Sequence, residues 1–203
     1  MTSLSEAKRE IRRLMRRKRQ QLSPGQRRKA GRGLARKATR LLRSHRKPHI
    51  ALYFSSDGEI PTQPLLAALL NQGINVYLPV LHPVYHNRLW FVRYRKGDTL
   101  RPNRYGIPEP ILRSHRRRTP WSLTHVCLPL VAFDDEGFRL GMGGGYYDRT
   151  FDPRRPAPRW PRLTGLAYEF QRQEELPRGP WDVPLDAVVT DKQIRLFRHR
   201  RAP

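Results

Sequence analysis

Residues 128–151 read LPLVAFDDEGFRLGMGGGYYDRTF, and the fold is decided by how this stretch is read. It opens with an apolar run, Leu128 to Phe133, of the length and composition of a buried strand. The charged turn Asp134-Asp135-Glu136-Gly137 follows. Next come Arg139, Leu140 and a glycine cluster, Gly141, Gly143, Gly144 and Gly145, interrupted by Met142. Tyr146, Tyr147, Asp148 and Arg149 close it as the start of a short helix. Strand, glycine loop and helix together can build a phosphate site. Glycine lets the backbone approach an anion, and N–H groups at a helix start point at it. Arg139 is placed to add charge, and Asp148 is a carboxylate suited to a magnesium ion on the phosphates.

The loop is neither common nucleotide fingerprint. The Walker pattern ends in Gly-Lys-Ser/Thr, whereas Gly145 is followed by Tyr146. The dinucleotide pattern needs a third glycine three places after Gly143, and Tyr146 stands there. As spacing alone, a glycine-rich turn beside a strand is more often only a turn.

Working outward, 203 residues suffice for one domain with a substantial core, and residues 1–203 are read as a single domain. No run of eighteen apolar residues implies a membrane helix. No apolar segment with a cleavage site marks a secretory signal. The single cysteine, Cys127, cannot form an internal disulfide and reads as a small buried hydrophobe. A reducing cytoplasm is the compartment expected.

The charge is unusual: 41 Lys and Arg against 17 Asp and Glu, a formal net charge of +24. Positions 1 to 48 alone hold 18 basic and 2 acidic residues. Such an excess can bind nucleic acid through phosphates. It can also be a solvated, arginine-biased surface. No aromatic is interleaved in residues 1 to 48, so the second reading is preferred and RNA binding is taken as adventitious.

Residues 3 to 22 read as a basic amphipathic helix, with Leu4, Ala7, Ile11, Leu14 and Met15 at helical spacing. Ser23-Pro24-Gly25-Gln26 is a helix restart, and a second helix runs to about Leu42 within a basic helical region 3–46. Lys8 and Arg12 share a face of the first helix and, by spacing, are two solvated charges among many. His49 to Phe54 is the first strand, leading into a loop that carries Glu59. Thr62 caps a helix through Leu70, and Ile74 to Leu78 is a strand ended by Pro79. Strand, helix, strand implies a parallel crossover. Leu89 to Tyr94, Leu163 to Tyr168, Asp186 to Thr190 and Ile194 to Phe197 are further strands. Residues 95 to 120 form a loop-rich excursion, and the basic end His199 to Arg201 is expected to fray. His82 and His86 flank Pro83 without a third ligand, so no zinc site is read there. The pattern predicts a three-layer α/β fold with a mainly parallel sheet flanked by helices.

Taken as residues, LPLVAFDDEGFRLGMGGGYYDR resembles the signature of the 5-formyltetrahydrofolate cyclo-ligase family. Met142 departs from it, since many relatives carry tyrosine or a basic residue there. Scattered matches extend the resemblance over about residues 4 to 197. Lys8-x-x-x-Arg12 stands where the family has a pair implied to contact ATP phosphates. YFSSDGEIPT resembles the segment whose glutamate, here Glu59, is implied to hold the pterin ring, beside the apolar Phe54. A carboxylate suits the paired donors of an aminopyrimidine. Tyr105-Gly106-Ile107-Pro108-Glu109-Pro110 resembles a motif near the active site, with Tyr105 a stacking group. WDVPLDAVVT resembles a family segment whose aspartate, here Asp182, is implied to be a second magnesium ligand beside Asp148.

The resemblance implies ATP and Mg2+ as requirements and folate as substrate. ATP would lie on Lys8, Arg12, Arg139, Leu140, Gly141, Met142, Gly143, Gly144, Gly145, Tyr146 and Tyr147, and folate on Phe54, Glu59, Tyr105 and Tyr146. The reaction implied is conversion of 5-formyltetrahydrofolate to 5,10-methenyltetrahydrofolate by a monomer, with no side chain acting as a covalent nucleophile. The rival readings are a basic RNA-binding α/β protein and a non-catalytic relative that binds folate or nucleotide.

Overall fold

A computed structural model describes residues 3–43, 48–111, 114–152, 154, 160–179 and 181–198. Residues 44–46 of the expected helical region and the basic end His199 to Arg201 lie outside the described residues.

Two helices open the chain. α1, Leu4–Gln20, starts at a capping box between Ser3 and Glu6 and ends with Arg17, Lys18 and Arg19 in its last turn. Basic side chains there oppose the negative end of the helix dipole. α2, Pro24–Leu42, starts at the expected box, in which the Ser23 hydroxyl accepts from the Gln26 N–H and Gln26 accepts from Ser23. Then come β1 (His49–Ala51), α3 (Gln63–Asn71), β2 (Asn75–Leu81), β3 (Leu89–Tyr94), β4 (Leu100–Pro102), β5 (Pro108–Pro110), β6 (Arg117–Arg118) and β7 (His125–Pro129). After them follow β8 (Ala132–Phe133), β9 (Arg139–Leu140), α4 (Tyr146–Thr150), β10 (Arg162–Ala167), β11 (Ala187–Thr190) and β12 (Ile194–Leu196).

The main sheet has eight strands in the order β12-β11-β10-β7-β1-β2-β3-β6. The strands from β11 to β2 pair parallel, and the edge pairings of β12, β3 and β6 are antiparallel. The mainly parallel α/β sheet read from the sequence is therefore present. α2 and α3 cover one face, where Leu34, Leu42, Leu65 and Leu69 meet Ile50 and Leu52. Ala51 points the other way, into a core with Phe91, Leu128, Phe133 and Phe151. That alternation is the period of two of a strand buried on both faces.

Several boundaries differ from expectation, each for a physical reason. β1 ends at Ala51, not Phe54, and Thr62 does not cap α3 through its side chain. Its hydroxyl instead donates to the Tyr53 carbonyl at 2.6 Å and holds the chain leaving β1. β2 runs through Pro79 to Leu81, with Pro79 opposite Phe91. β1 pairs with β2 only as far as Tyr77, so one edge of β2 is open at Pro79 and proline is tolerated there. The expected strand from Leu128 to Phe133 is two pieces, since β7 stops at Pro129 and β8 begins at Ala132. The carbonyls freed at the break, of Leu130 and Val131, accept from buried Gln171 Nε2 at 2.9 and 2.7 Å. The excursion 95–120 contains the β4–β5 hairpin and β6.

β1 leads through α3 to β2 on one side of itself, while β7 leads to β10 on the other. The loops leaving β1 and β7 therefore diverge at the carboxyl ends of adjacent strands. Such a switch point is where open α/β sheets place their ligands.

Candidate active site

A cleft of about 970 Å3 lies at this switch point. The glycine loop forms its floor. Buried Asp134 accepts the N–H groups of Glu136 and Phe138, fixing the turn between β8 and β9. β9 then delivers Arg139, which donates to the Val183 carbonyl and, at 2.6 Å, to Asp148 Oδ1. Gly143 and Gly145 have φ of 106° and 64°, conformations that disfavour a side chain. A Cβ at Gly145 would also meet Arg149 Nη1 at 2.5 Å. α4 follows directly, and its Thr150 hydroxyl accepts the Leu89 N–H at 3.0 Å, docking it on β3.

α1 supplies one wall. Met15 is fully buried against Val131, Ala132 and Leu140, which is worth about 2 kcal/mol of transfer free energy. That contact turns Lys8 and Arg12 toward the cleft. Arg12 Nε donates to the Gly141 carbonyl at 2.9 Å, and Lys8 Nζ lies 3.0 Å from Asp182 Oδ2. Burial pulls the Arg12 guanidinium below the ordinary arginine range, against the opposing pull of Asp182.

The loop leaving β1 supplies the opposite wall. Glu59 is partly covered as a residue, but its carboxyl is crowded by protein, and burial pushes its pKa up to about 7. The Ser56 N–H on Glu59 Oε2 and the charge of Arg19 oppose that rise. The Tyr147 hydroxyl is pushed up by burial and then by the charge of Glu59. Phe54 lies edge-on to Tyr94 beside it. Over the mouth, the Tyr105 and Tyr146 hydroxyls meet at 2.8 Å, and Arg104 donates to Tyr146. Glu109 holds this hairpin to β2 by accepting the Leu81 N–H at 3.2 Å.

All the residues singled out from the sequence line this one cleft, from Lys8 and Arg12 through Phe54, Glu59 and Tyr105 to the glycine loop, Asp148 and Asp182. Asp148 and Asp182 are neighbours, since Asp148 Oδ1 accepts the Val183 N–H at 3.4 Å. Sequence reasoning missed several lining residues. Arg16, paired with Asp57 at 3.1 Å, continues the four-residue spacing of Lys8 and Arg12, a signal that was available. Trp181, 63% exposed beside Asp182, left no periodic signal. Arg19, outside the lining, is fully buried at the end of α1; among the described residues its side chain donates only to Met142 Sδ, at 3.7 Å, and Nε and Nη1 find no partner.

Whether these residues suit magnesium can be judged from their donors. Asp148 Oδ2 and Asp182 Oδ1 receive no hydrogen bond among the described residues, so each carboxylate has an oxygen to offer. The described residues hold no group of three or more His, Cys, Asp or Glu able to bind a metal. Two carboxylates, with phosphates and water completing the shell, is an arrangement magnesium accepts.

Fold and cleft define an open α/β protein with a cationic glycine loop at the switch point of its sheet. Residues 4–191 match the 5-formyltetrahydrofolate cyclo-ligase family. The chain belongs to that family. It is 41% identical over 185 residues to the 5-formyltetrahydrofolate cyclo-ligase of Haemophilus influenzae, covering 91% of this chain and 98% of the relative. The Escherichia coli (strain K12) 5-formyltetrahydrofolate cyclo-ligase is 45% identical over 146 residues, 71% of this chain and 79% of the relative. The solved structure of Aquifex aeolicus 5,10-methenyltetrahydrofolate synthetase superposes with a TM-score of 0.74 at 34% identity, covering 97% of this chain and 95% of that one.

Proposed function

We propose that this chain is an ATP-dependent ligase that converts 5-formyltetrahydrofolate to 5,10-methenyltetrahydrofolate, releasing ADP and phosphate. The observation that carries the proposal is the convergence on one cleft of residues spread from Lys8 to Asp182.

An amide-like formyl oxygen is a poor leaving group. Its attack on the γ-phosphorus of ATP forms a C–O–P linkage and releases ADP. The neighbouring folate nitrogen then adds to the activated formyl carbon and gives up its proton. The C–O bond breaks, and phosphate carries the oxygen away. Such a route asks for positioning and charge neutralisation, not a protein nucleophile. Lys8, Arg12, Arg139 and the loop amides would neutralise the phosphates. Glu59 would accept the ring donors of the pterin, with Phe54 against its face, and Tyr105 and Tyr146 would close the mouth. Asp148 and Asp182 would hold magnesium, which would supply further neutralisation of phosphate charge.

The reaction is read by absorbance at the methenyl-folate band, with protein, 5-formyltetrahydrofolate, ATP and Mg2+. A rise that needs both ATP and Mg2+ is expected. In Asp148→Asn the rate should fall roughly a hundredfold or more with the fold retained. No rise with wild-type protein would overturn the reaction. A fully active Asp148→Asn protein would remove Asp148 from the metal site. We place the reaction in the cytoplasm. The unbridged, buried Cys127 supports that, and no described helix is long and apolar enough to cross a membrane.

A further inference from the structure

A second group of basic residues lies at the end of the sheet opposite the cleft, where the parallel strands begin. β1 enters there at His49, β7 at His125 and β10 at Arg162, and β3 leaves there at Tyr94. At this foot a depression of about 480 Å3 is lined by Tyr77, Arg93, Arg95 and the run from His115 to Thr119.

Arg93, Arg95, Arg116 and Arg118 line this space, and Arg117 lines it too, but with its guanidinium turned to the other face of the sheet. Arg116 is paired with a carboxylate, Asp98, at 2.8 Å. Arg118 donates to the Tyr77 hydroxyl at 2.8 Å, and Arg117 lies over the Trp90 ring, 4.1 Å from its centroid. The side chains of Arg93 and Arg95 make no hydrogen bond or ion pair among the described residues, although the Arg95 N–H donates to Asp98 at 2.8 Å and its charge is felt there. Other basic residues stand at the same end of the sheet, with Arg43 closing α2, Lys96 following β3 and Arg162 opening β10, four strands from β3. On β10, next to Arg162, the Leu163 N–H donates to the Asp186 carboxylate at 2.6 Å. Like charges gathered this closely repel, and a bound polyanion relieves that repulsion. The field is felt inside the fold: the His49 imidazole is lowered by burial and then by the charges of Arg118 and Arg93.

We propose that this foot is a second binding site, for the phosphate backbone of single-stranded RNA. A backbone is favoured over a small phosphate because the basic residues at this end extend beyond what a compact ligand would touch. Planar guanidiniums suit successive phosphates. Contacts to phosphates carry no sequence information, so binding would be independent of sequence. The proposal does not rest on the catalytic reading.

The test is fluorescence anisotropy of a labelled oligouridine of about 20 nucleotides, titrated with the full chain across a range of salt. The variant Arg93→Ser/Arg95→Ser should bind at least tenfold more weakly. Its log affinity against log salt should flatten by about 1.4, the equivalent of two phosphate contacts at about 0.7 each. A charge-matched variant, Arg28→Ser/Arg32→Ser on exposed α2, should bind as the wild type does. Turnover of 5-formyltetrahydrofolate should be unchanged in both. Equal loss in the two variants would mean general electrostatics and sink the site. Displacement of the RNA by saturating Mg-ATP would place it in the cleft and also overturn the proposal. Free tripolyphosphate competing as well as RNA, phosphate for phosphate, would make the foot a small-anion site instead.

Discussion

Arg139 Nη2 lies 2.6 Å from Asp148 Oδ1, so a cation of the glycine loop is held by a carboxylate proposed for magnesium. Lys8 and Asp182 repeat the relationship at 3.0 Å. In both pairs the side chain proposed for phosphate is neutralised by the one proposed for metal. Ligand binding then exchanges partners within a charge-balanced set. Neither charge is left bare without ligand, which limits the desolvation cost of an empty site.

Partner exchange predicts that ATP and Mg2+ stabilise the protein together far more than either does alone. At about a hundred times the dissociation constant, one bound ligand adds roughly 2.7 kcal/mol. For a chain of this size that is a rise in Tm of about 5–10 °C. Thermal unfolding with ATP, Mg2+ and both is the measurement. Equal shifts with ATP alone would separate Asp148 and Asp182 from ATP binding.

Glu59 predicts a pH dependence of folate affinity. Its folded pKa of about 7 lies above the ordinary carboxylate value. The group accepts fully only when ionised, so KM for 5-formyltetrahydrofolate should fall as pH rises through 7, and Glu59→Gln should abolish that trend. Stability runs the other way. A raised carboxyl pKa contributes stability that is whole below about 4.5 and is lost as pH rises through about 7. Glu59→Gln should therefore gain Tm relative to wild type as pH increases from 5 to 8. Parallel Tm curves for the two proteins would contradict the shift.

Arg19→Met tests the buried guanidinium at the end of α1. Two of its nitrogens lack partners, so replacing it with an apolar chain of similar length should change stability by less than about 1 kcal/mol. Its charge opposes the rise of the Glu59 pKa. The midpoint of the KM–pH curve should therefore move upward in the variant. An unmoved midpoint would show that Arg19 does not act on Glu59. A loss of several kcal/mol would show that the guanidinium is well paired.

What the sequence revealed followed chain distance. The glycine loop, Arg139 and Asp148 are close neighbours in the chain, so their grouping in one place could be read directly. Residue patterning also foresaw the capping box at Ser23, burial of Cys127 and the parallel core. Asp182 beside Asp148 was different: 34 positions separate them, and only the family resemblance joined them. The break after Pro129 was hidden for the same reason, because the amide that satisfies it belongs to Gln171. Pro79 misled as a strand end, since its tolerance depends on where the neighbouring β1 stops. Arg19 left no readable signal among so many arginines.

Cys127 sits in β7, fully buried, with its thiol pushed up by burial to about 12. Almost none of it is thiolate at neutral pH, and α2 and α3 cover it. Its alkylation therefore requires these helices to lift from the sheet or the fold to open. With one sulfhydryl in the chain, the rate of labelling reads that opening directly, without interference from a second thiol. Oxidants that inactivate exposed cysteines should leave the folded protein untouched.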